Sequence, residues 1–393
     1  MAKKATKGAR GSGTIRQRSN GTWEGRYTVG HDPKTGKQIQ RSVYGKTQKE
    51  VAQKLRQITA EIDDGTYTGP CRLTLGEWLD IWLSEYTGNV KVLTYECYKS
   101  HIVNHIKPEI GSVKLSALNT VTIQKFYNGL TKGDHPLSAK TVKNIHGVLH
   151  RALSHAVRLG YIRVNPSDDV ILPKVSKPEI NPLTDNSLSA FLKAIKDHPM
   201  ETLFLTDIFT GMRKGEILGL TWDCVDFERG VIVIEKQLIQ LRDGTGEYRI
   251  TTTKSGKTRI VKPARYVMDV LRAQLEKQNK MKEQAAEAWD NEQGFVFTDA
   301  FGHHLAHTTV YHTFKRIVRS IGIPEIRFHD LRHSFAVASL QSGDDIKTVQ
   351  ENLGHYTAAF TLDVYGHISE KMRDDSSRRM DAFIQNILEN SNT

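Results

Sequence analysis

The chain has 393 residues, 38% of them apolar, enough for two or three domains with sizeable hydrophobic cores. Its net charge is +11, and residues 1–60 alone hold 14 Lys and Arg against three acidic side chains, a concentration that fits a polyanionic partner, nucleic acid first and an anionic membrane surface second. No run approaches the roughly 18 apolar residues of a membrane span, no apolar signal core follows the basic N-terminal residues, and the odd, scattered Cys71, Cys97 and Cys224 encode neither a disulfide framework nor a cysteine zinc cluster, so a folded, soluble, cytosolic protein is expected.

After a Lys/Gly-rich arm, Gly13 to Arg18 and Thr22 to Val29 read as strands joined through Ser19-Asn20-Gly21, where Asn-Gly suits a tight hairpin turn. Asp32-Pro33-Lys34-Thr35-Gly36 forms the next turn and Lys37 to Tyr44 a third strand. Thr47 with Glu50 three residues on is a capping-box pattern, and Val51, Leu55, Ile58 and Ile62 mark one face of the helix that follows. A three-stranded sheet backed by one helix can enter a DNA major groove. Arg16, Arg18, Arg26 and Lys37 on the strands are the candidate contacts, with Trp23 and Tyr27 between them. The plainer alternative is that the aromatics pack on the helix and the charges solvate the sheet.

From residue 72 to about 164 the pattern is helical. Leu73, Leu75, Trp78, Leu79, Ile81 and Trp82 give an apolar face, and further helices are expected at Thr94 to Lys107, Thr120 to Leu130 and Ser138 to Gly160. Lys140, Lys143 and Arg151 decorate the last of these and either line a phosphate backbone or form an ordinary solvated face. Pro166, Pro173, Pro178 and Pro182 mark a linker. Beyond it, helices are expected after Thr184 and at Glu201 to Phe209. Strands follow at Val231 to Leu241, Tyr248 to Lys254 and Thr258 to Lys262, and helices dominate from Ala264 onward, with Glu283 to Glu292 a loop or frayed helix end. The expected division is 1–65, 72–170, a linker at 171–182, and 183–393. The fold is multidomain: an α+β sheet-plus-helix domain, an all-α domain, and a mainly α domain with a small antiparallel sheet.

Four stretches of the last domain carry chemistry: Thr210-Gly211-Met212-Arg213-Lys214-Gly215-Glu216 with Leu220, Thr253-Lys254-Ser255-Gly256-Lys257, His329-Asp330-Leu331-Arg332-His333, and Leu353-Gly354-His355 followed by Tyr365-Gly366-His367. His329 and Arg332, three apart on a helix, can face one ligand. Two arginines, a lysine and two histidines around one site suit a phosphodiester, because guanidinium forks grip its non-bridging oxygens. Taken singly, each has a bland reading: a helix-surface charge, a turn lysine, a half-buried tyrosine.

The ordered set, with Arg213 in a TG-x-R-x-GE-x-x-x-L context, Lys254 in a β-hairpin, His329-x-x-Arg332, His355 after Leu-Gly and Tyr365 ten residues on, resembles the tyrosine recombinases, or phage-type integrases. Within that family it is most similar to integrases of conjugative transposons and Gram-positive temperate phages. One departure is Gly366, where many relatives have Thr before His367. The resemblance implies an arm-type DNA-binding domain, a helical core-binding domain and a catalytic domain. It also implies that Tyr365 is the nucleophile, Arg213, Arg332 and His355 bind the phosphate, Lys254 is the general acid, His329 moves the tyrosine proton, and Glu216 supports Arg213 or its helix. Lys257, in the same turn as Lys254, is an alternative acid. It implies no cofactor and no metal, double-stranded DNA with core and arm sites, a homotetramer on that DNA, and an excisionase or host DNA-bending protein as accessory partner, all in the bacterial cytoplasm at the nucleoid.

Two other classes compete with this one: a DNA-binding regulator or architectural protein with a recombinase-like fold, against which the intact residue set argues, and a metal-dependent nuclease. His329 and His333 have the i, i+4 spacing of a zinc helix, but Asp330 follows the first His where a metalloprotease needs Glu. His303, His304, His307 and His312 form a second cluster, expected on loop and helix surface. Met372, Met380, Phe383, Ile384, Ile387 and Leu388 give the segment Glu370 to Glu389 an apolar helical stripe, which either folds back on its own domain or, as the resemblance implies, docks on a neighbouring protomer.

Overall fold

A computed structural model describes residues 14–33, 35–64, 71–132, 135–176 and 181–354, and a terminal stretch between 377 and 388 with 379 and 386 excepted. The expected roles of His355, Tyr365, Lys34 and the basic arm therefore fall outside the described residues. The chain forms two compact units, residues 1–176 and 177–393.

The first unit opens with a meander of β1 (Thr14–Gln17), β2 (Trp23–His31) and β3 (Gln38–Gly45), all antiparallel. Strand periodicity sorts β2 by face. Trp23 and Tyr27 pack towards Val51 and Leu55 of α1 (Gln48–Asp63), and Gly25 lies between them because a Cβ there would stand 2.6 Å from Val51 Cγ1. The aromatics are thus helix-facing, as the plainer alternative held. Lys37 precedes β3 and lies outside the strand. The Thr47 hydroxyl accepts from Glu50 N–H at 3.2 Å, but the Glu50 carboxylate takes the N–H of Lys46, so the reciprocal half of the expected box is displaced by one residue.

The helical part comprises α2 (Leu75–Glu85), α3 (Val92–His101), α4 (Lys107–Ile110), α5 (Thr120–Leu130) and α6 (Ala139–Arg158), with a π turn at Ile102–Ile106 joining α3 to α4. Thr74 and Glu77 form a complete capping box on α2. Trp78 and Trp82 are buried, and their indole N–H groups donate to Ala152 O and His155 Nδ1 of α6, satisfying the polar handle that a buried tryptophan must place.

In the second unit, α7 (Asp185–Ile195) and α8 (Glu201–Thr210) lead through Gly211 into the short α9 (Lys214–Leu218). The sheet region contains β4 (Val225–Asp226), β5 (Val231–Ile234), β6 (Lys236–Gln240), β7 (Tyr248–Thr252) and β8 (Arg259–Val261). The expected single strand Val231 to Leu241 is two, because the chain changes partners at Glu235: β5 lies between β4 and β8, whereas β6 pairs with β7. The helices α10 (Arg265–Ala285), α11 (His307–Ser320), α12 (Phe328–Gln341) and α13 (Ile346–Leu353) follow. Phe191, Phe204, Phe314 and Phe328 meet at the centre of the core with ring centroids 5.4–6.3 Å apart. Described residues between 377 and 388 are helical, and Met380, Phe383, Ile384, Ile387 and Leu388 are exposed. Among the described residues no helix is long and apolar enough to cross a membrane.

Candidate active site

Local backbone chemistry explains the Thr-Gly-x-Arg stretch. Gly211 ends α8 in the left-handed region at φ 62°, which favours glycine, and a Cβ there would come within 2.5 Å of Phe335 and 2.8 Å of Leu353. The turn places Arg213 at the N-cap of α9 with extended backbone. Glu216, three residues on, accepts the Arg213 N–H at 2.9 Å and its Nη1 at 2.8 Å. The other terminal nitrogen, Nη2, donates to Gly354 O at 3.2 Å.

Glu216 is buried and receives a second guanidinium: Arg259 of β8 donates Nη1 and Nη2 to its two oxygens at 3.1 and 2.6 Å. Burial alone would raise the carboxyl, but the Arg259 hydrogen bonds and the charges of Arg259 and Arg213 prevail and hold its pKa at about 2. Arg332, buried on α12, donates Nη1 to Gly211 O at 2.7 Å and Nη2 to Leu353 O at 2.5 Å. His329, one helical turn earlier, keeps an exposed edge. Burial of the rest of its ring, followed by the charges of His333, Arg332 and Arg213, lowers its pKa to about 4, so the imidazole is neutral at physiological pH. Thr253-Lys254-Ser255-Gly256 forms the turn between β7 and β8, stabilised by Thr253 Oγ1 donating to Lys257 O at 2.9 Å, with Gly256 at φ 70°.

These groups share one cavity of about 880 Å³, whose walls include Arg213, Lys254, Lys257, Arg259, His329 and Arg332. Both candidate acids face it. Gly354, eleven residues before Tyr365 in the sequence, also lines it. Two residues that sequence reasoning missed belong to the same neighbourhood. Arg259 is inward-facing on β8 while Ile260 beside it is 56% exposed, an inversion of the usual apolar-inside order that nothing in the local sequence signals. Asp207, on α8, is fully buried with neither carboxylate oxygen hydrogen-bonded among the described residues. Burial, opposed by Arg332 and reinforced by Glu216, raises its pKa well above the ordinary carboxylate value.

Asp330 caps its own helix, accepting from Arg327 N–H at 2.8 Å and Nη2 at 2.7 Å. His303 faces Asp299, His304 and His307 pack on the Tyr248 ring, and His312 stacks edge-on to Tyr311. Among the described residues no group of three or more His, Cys, Asp or Glu could hold a metal ion. In the first unit, Arg16, Arg18 and Arg26 converge on Glu24, while Lys140, Lys143 and Arg151 are exposed on α6. The Arg151 guanidinium lies over the Tyr98 ring and donates to its hydroxyl.

The phage integrase family model matches residues 181–372, and the model of the phage integrase N-terminal SAM-like domain matches 74–131. A tyrosine recombinase XerC-like protein of Caldanaerobacter subterraneus subsp. tengcongensis is 30% identical over 91% of this chain and 95% of its own length. The ICEBs1 integrase of Bacillus subtilis is 22% identical over 94% and 99%. Among solved structures, the Tn1549 transposon integrase in complex with transposon right end DNA has a TM-score of 0.66 at 21% identity, covering 79% of this chain and all of that one. The lambda integrase tetramer bound to a Holliday junction has a TM-score of 0.55 at 20% identity, covering 93% and 99%. The chain belongs to the phage integrase family of tyrosine recombinases. It is a site-specific recombinase, an enzyme that cleaves and rejoins DNA, and not merely a regulator on a recombinase-like fold.

Proposed function

We propose that this recombinase integrates and excises a mobile element by transesterification at the cavity beside Arg213. The observation that carries the reading is the convergence of three guanidinium groups, a neutral imidazole and two lysines on one cavity whose wall includes Gly354, eleven residues before Tyr365 in the sequence. The Tyr365 hydroxyl attacks the scissile phosphorus, forming a 3′-phosphotyrosyl bond as the P–O5′ bond breaks. Lys254 gives its proton to the departing 5′ oxygen, with Lys257 the alternative donor. His329, held neutral, takes the tyrosine proton, which an ordinary tyrosine near pKa 10 surrenders reluctantly. Arg213 and Arg332 stabilise charge on the non-bridging oxygens, and His355 hydrogen-bonds the same phosphate. A 5′ hydroxyl of the exchanged strand then attacks phosphorus and releases Tyr365, so phosphodiester energy is conserved and no ATP, metal or other cofactor takes part.

The sheet of residues 1–65 binds arm sites through Arg16, Arg18, Arg26 and Lys37, residues 72–170 grip the core site with Lys140, Lys143 and Arg151, and the linker 171–182 joins them to the catalytic domain at 183–393. Four protomers act on two duplexes, as the lambda integrase neighbour on its junction suggests by analogy of fold. The exposed apolar stripe of the terminal helix links protomers, an excisionase or DNA-bending protein sets direction, and the reaction takes place in the cytoplasm at the nucleoid.

The test is covalent capture. Protein is incubated with a nicked random-sequence duplex library in EDTA and quenched in SDS, and wild type is compared with Tyr365→Phe. An adduct formed by wild type and absent from the variant supports the reading, and sequencing the trapped DNA names the site. Tight binding with no adduct refutes it.

A further inference from the structure

The C-terminal end of α13 is held by three guanidinium groups from three elements. Arg259 Nε donates to Asn352 O at 2.9 Å, Arg332 Nη2 to Leu353 O at 2.5 Å, and Arg213 Nη2 to Gly354 O at 3.2 Å. A helix leaves its last carbonyls unpaired and carries partial negative charge there. Gly354, in the left-handed region, returns its N–H to Gln350 and Glu351, which leaves the next three carbonyls to the arginines. Two of these arginines are the proposed phosphate ligands. The third, Arg259, spends its other two nitrogens on Glu216, the carboxylate that also fixes Arg213.

Resting on the reading of Arg213 as phosphate ligand and Tyr365 as nucleophile, we propose that Arg259 is a positioning residue for strand cleavage. One guanidinium refers both halves of the reaction to a common point: the phosphate-binding arginine through Glu216, and the chain that runs on to Tyr365 through Asn352 O. An entering phosphate oxygen is a stronger acceptor than a peptide carbonyl. Of the three bonds to the helix end, that of Arg213 is the longest, and its side chain is 23% exposed against 10% for Arg259. Arg213 therefore exchanges Gly354 O for phosphate, while Arg259 keeps the helix end in register with Glu216. Lysine cannot replace it, because a single ammonium has no fork with which to span a carboxylate and a carbonyl.

The substrate for the test is the duplex recovered by covalent capture, nicked so that cleavage is irreversible. Single-turnover cleavage is measured across protein concentrations for wild type, Arg259→Ala and Arg259→Lys, with Tyr365→Phe as blank and thermal melts as folding control. Misplacing reacting groups by about 1 Å costs on the order of 100-fold in rate, so both variants are expected to lose the maximal rate on that scale while half-saturation by DNA stays near wild type. Arg259→Lys retains the charge and keeps the test valid should the alanine variant fold poorly. A substrate with sulfur at the 5′ bridging position, whose thiolate leaves without a proton, is expected to leave the defect in place. Wild-type rates in both variants overturn the proposal. So does a loss confined to DNA affinity, which would make Arg259 a direct phosphate ligand, and so does full rescue by the bridging sulfur, which would place its effect on the Lys254 turn. Failure of the underlying reading looks different: wild type itself forms no adduct, or Tyr365→Phe still forms one.

Discussion

The N-terminal sheet and the cavity beside Arg213 each gather arginines around one buried carboxylate, and the two arrangements differ in what the arginines are left free to do. On the sheet, Glu24 accepts from Arg16, Arg18 and Arg26 and from the Ser42 hydroxyl, while the three arginine side chains remain 44–56% exposed. In the cavity, Glu216 is shared by Arg213 and Arg259, whose side chains are only 23% and 10% exposed. Both carboxyls are lowered to about 2. For Glu24 the Arg16 and Ser42 hydrogen bonds lead; for Glu216 the arginines must first overcome burial. An exposed fan can follow many phosphates along a groove, whereas a buried fork is committed to one geometry. Exposure therefore separates an open fan from a committed fork when the charge pattern is the same.

The largest expected effect follows from that burial. Glu216→Ala leaves two guanidinium groups facing each other without their counter-charge, and removing one partner of a buried pair costs about 3–5 kcal/mol. Urea unfolding should show a loss of that size, and covalent capture should disappear. Glu216→Gln keeps the shape and should fall between. If Glu216→Ala unfolds at the wild-type midpoint, the contrast between a committed fork and an open fan is wrong.

Acid should separate the same two regions. His329 and His307 have folded pKa values near 4 against an ordinary 6.5, chiefly through burial. Between those values the unfolded chain binds protons that the folded chain refuses, so their contribution lowers stability as pH falls from 6.5 towards 4. Glu216 and Glu24 act lower: their stabilisation is full above 4.5 and is lost as pH drops towards 2. Asp207 has the opposite sign, since its folded carboxyl keeps a proton that the unfolded one releases above 3.8, so its contribution erodes as pH rises. Hydrogen exchange read separately on residues 14–63 and 181–354 should show the catalytic unit loosening first on acidification, and His329→Gln should flatten that slope. Simultaneous loosening of both regions between pH 6.5 and 4 would contradict the assignment.

Much of this was legible in the sequence because it is local chemistry. Asn20-Gly21, the Thr47 N-cap and the apolar spacing of α2, α5 and α6 each state an element within a few residues. Arg213, Lys254, His329 and Arg332 meet on one cavity because their motifs hold the glycines and caps that aim them. What escaped depends on partners distant in the chain. The run Val231 to Leu241 is uniformly strand-like, and only the pairing with β8 on one side and β7 on the other divides it. Arg259 faces inward because β8 pairs with β5, and its partners Glu216 and Asn352 lie 43 and 93 residues away. Asp207 reads as an ordinary helix residue until its surroundings are known. For Trp23 and Tyr27 the sequence leaves two placements open, and strand alternation settles on the helix-facing one, opposite the arginines.

Glu24→Gln should act on recognition more than on stability. It adds one net positive charge to the sheet, so binding to random duplex should hold or strengthen with a salt dependence at least as steep. Without the carboxylate the three guanidinium groups lose their common reference, and preference for the arm sequence over random duplex should shrink. Anisotropy titrations across salt on both duplexes measure this. Retained preference with a lowered melting temperature would make Glu24 a structural residue only.

The smallest effects concern close approach, and they differ between the regions in a way the neighbours dictate. A Cβ at Gly219 would stand 2.5 Å from Leu238 N and 2.8 Å from Gln237 C, both backbone atoms of β6 that cannot yield without shifting the strand. At Gly25 it would meet Val51 Cγ1 at 2.6 Å and Leu55 Cδ1 at 2.7 Å, side-chain atoms that can change rotamer. Overpacking costs roughly 1–3 kcal/mol. Gly219→Ala should fall at the top of that range and slow cleavage, because α9 carries Glu216 and follows Arg213; Gly25→Ala should fall at the bottom and leave cleavage of core duplex unchanged. Chemical denaturation of both variants, with cleavage assayed in parallel, would reverse the expected order only if β6 moved more easily than the Val51 and Leu55 side chains.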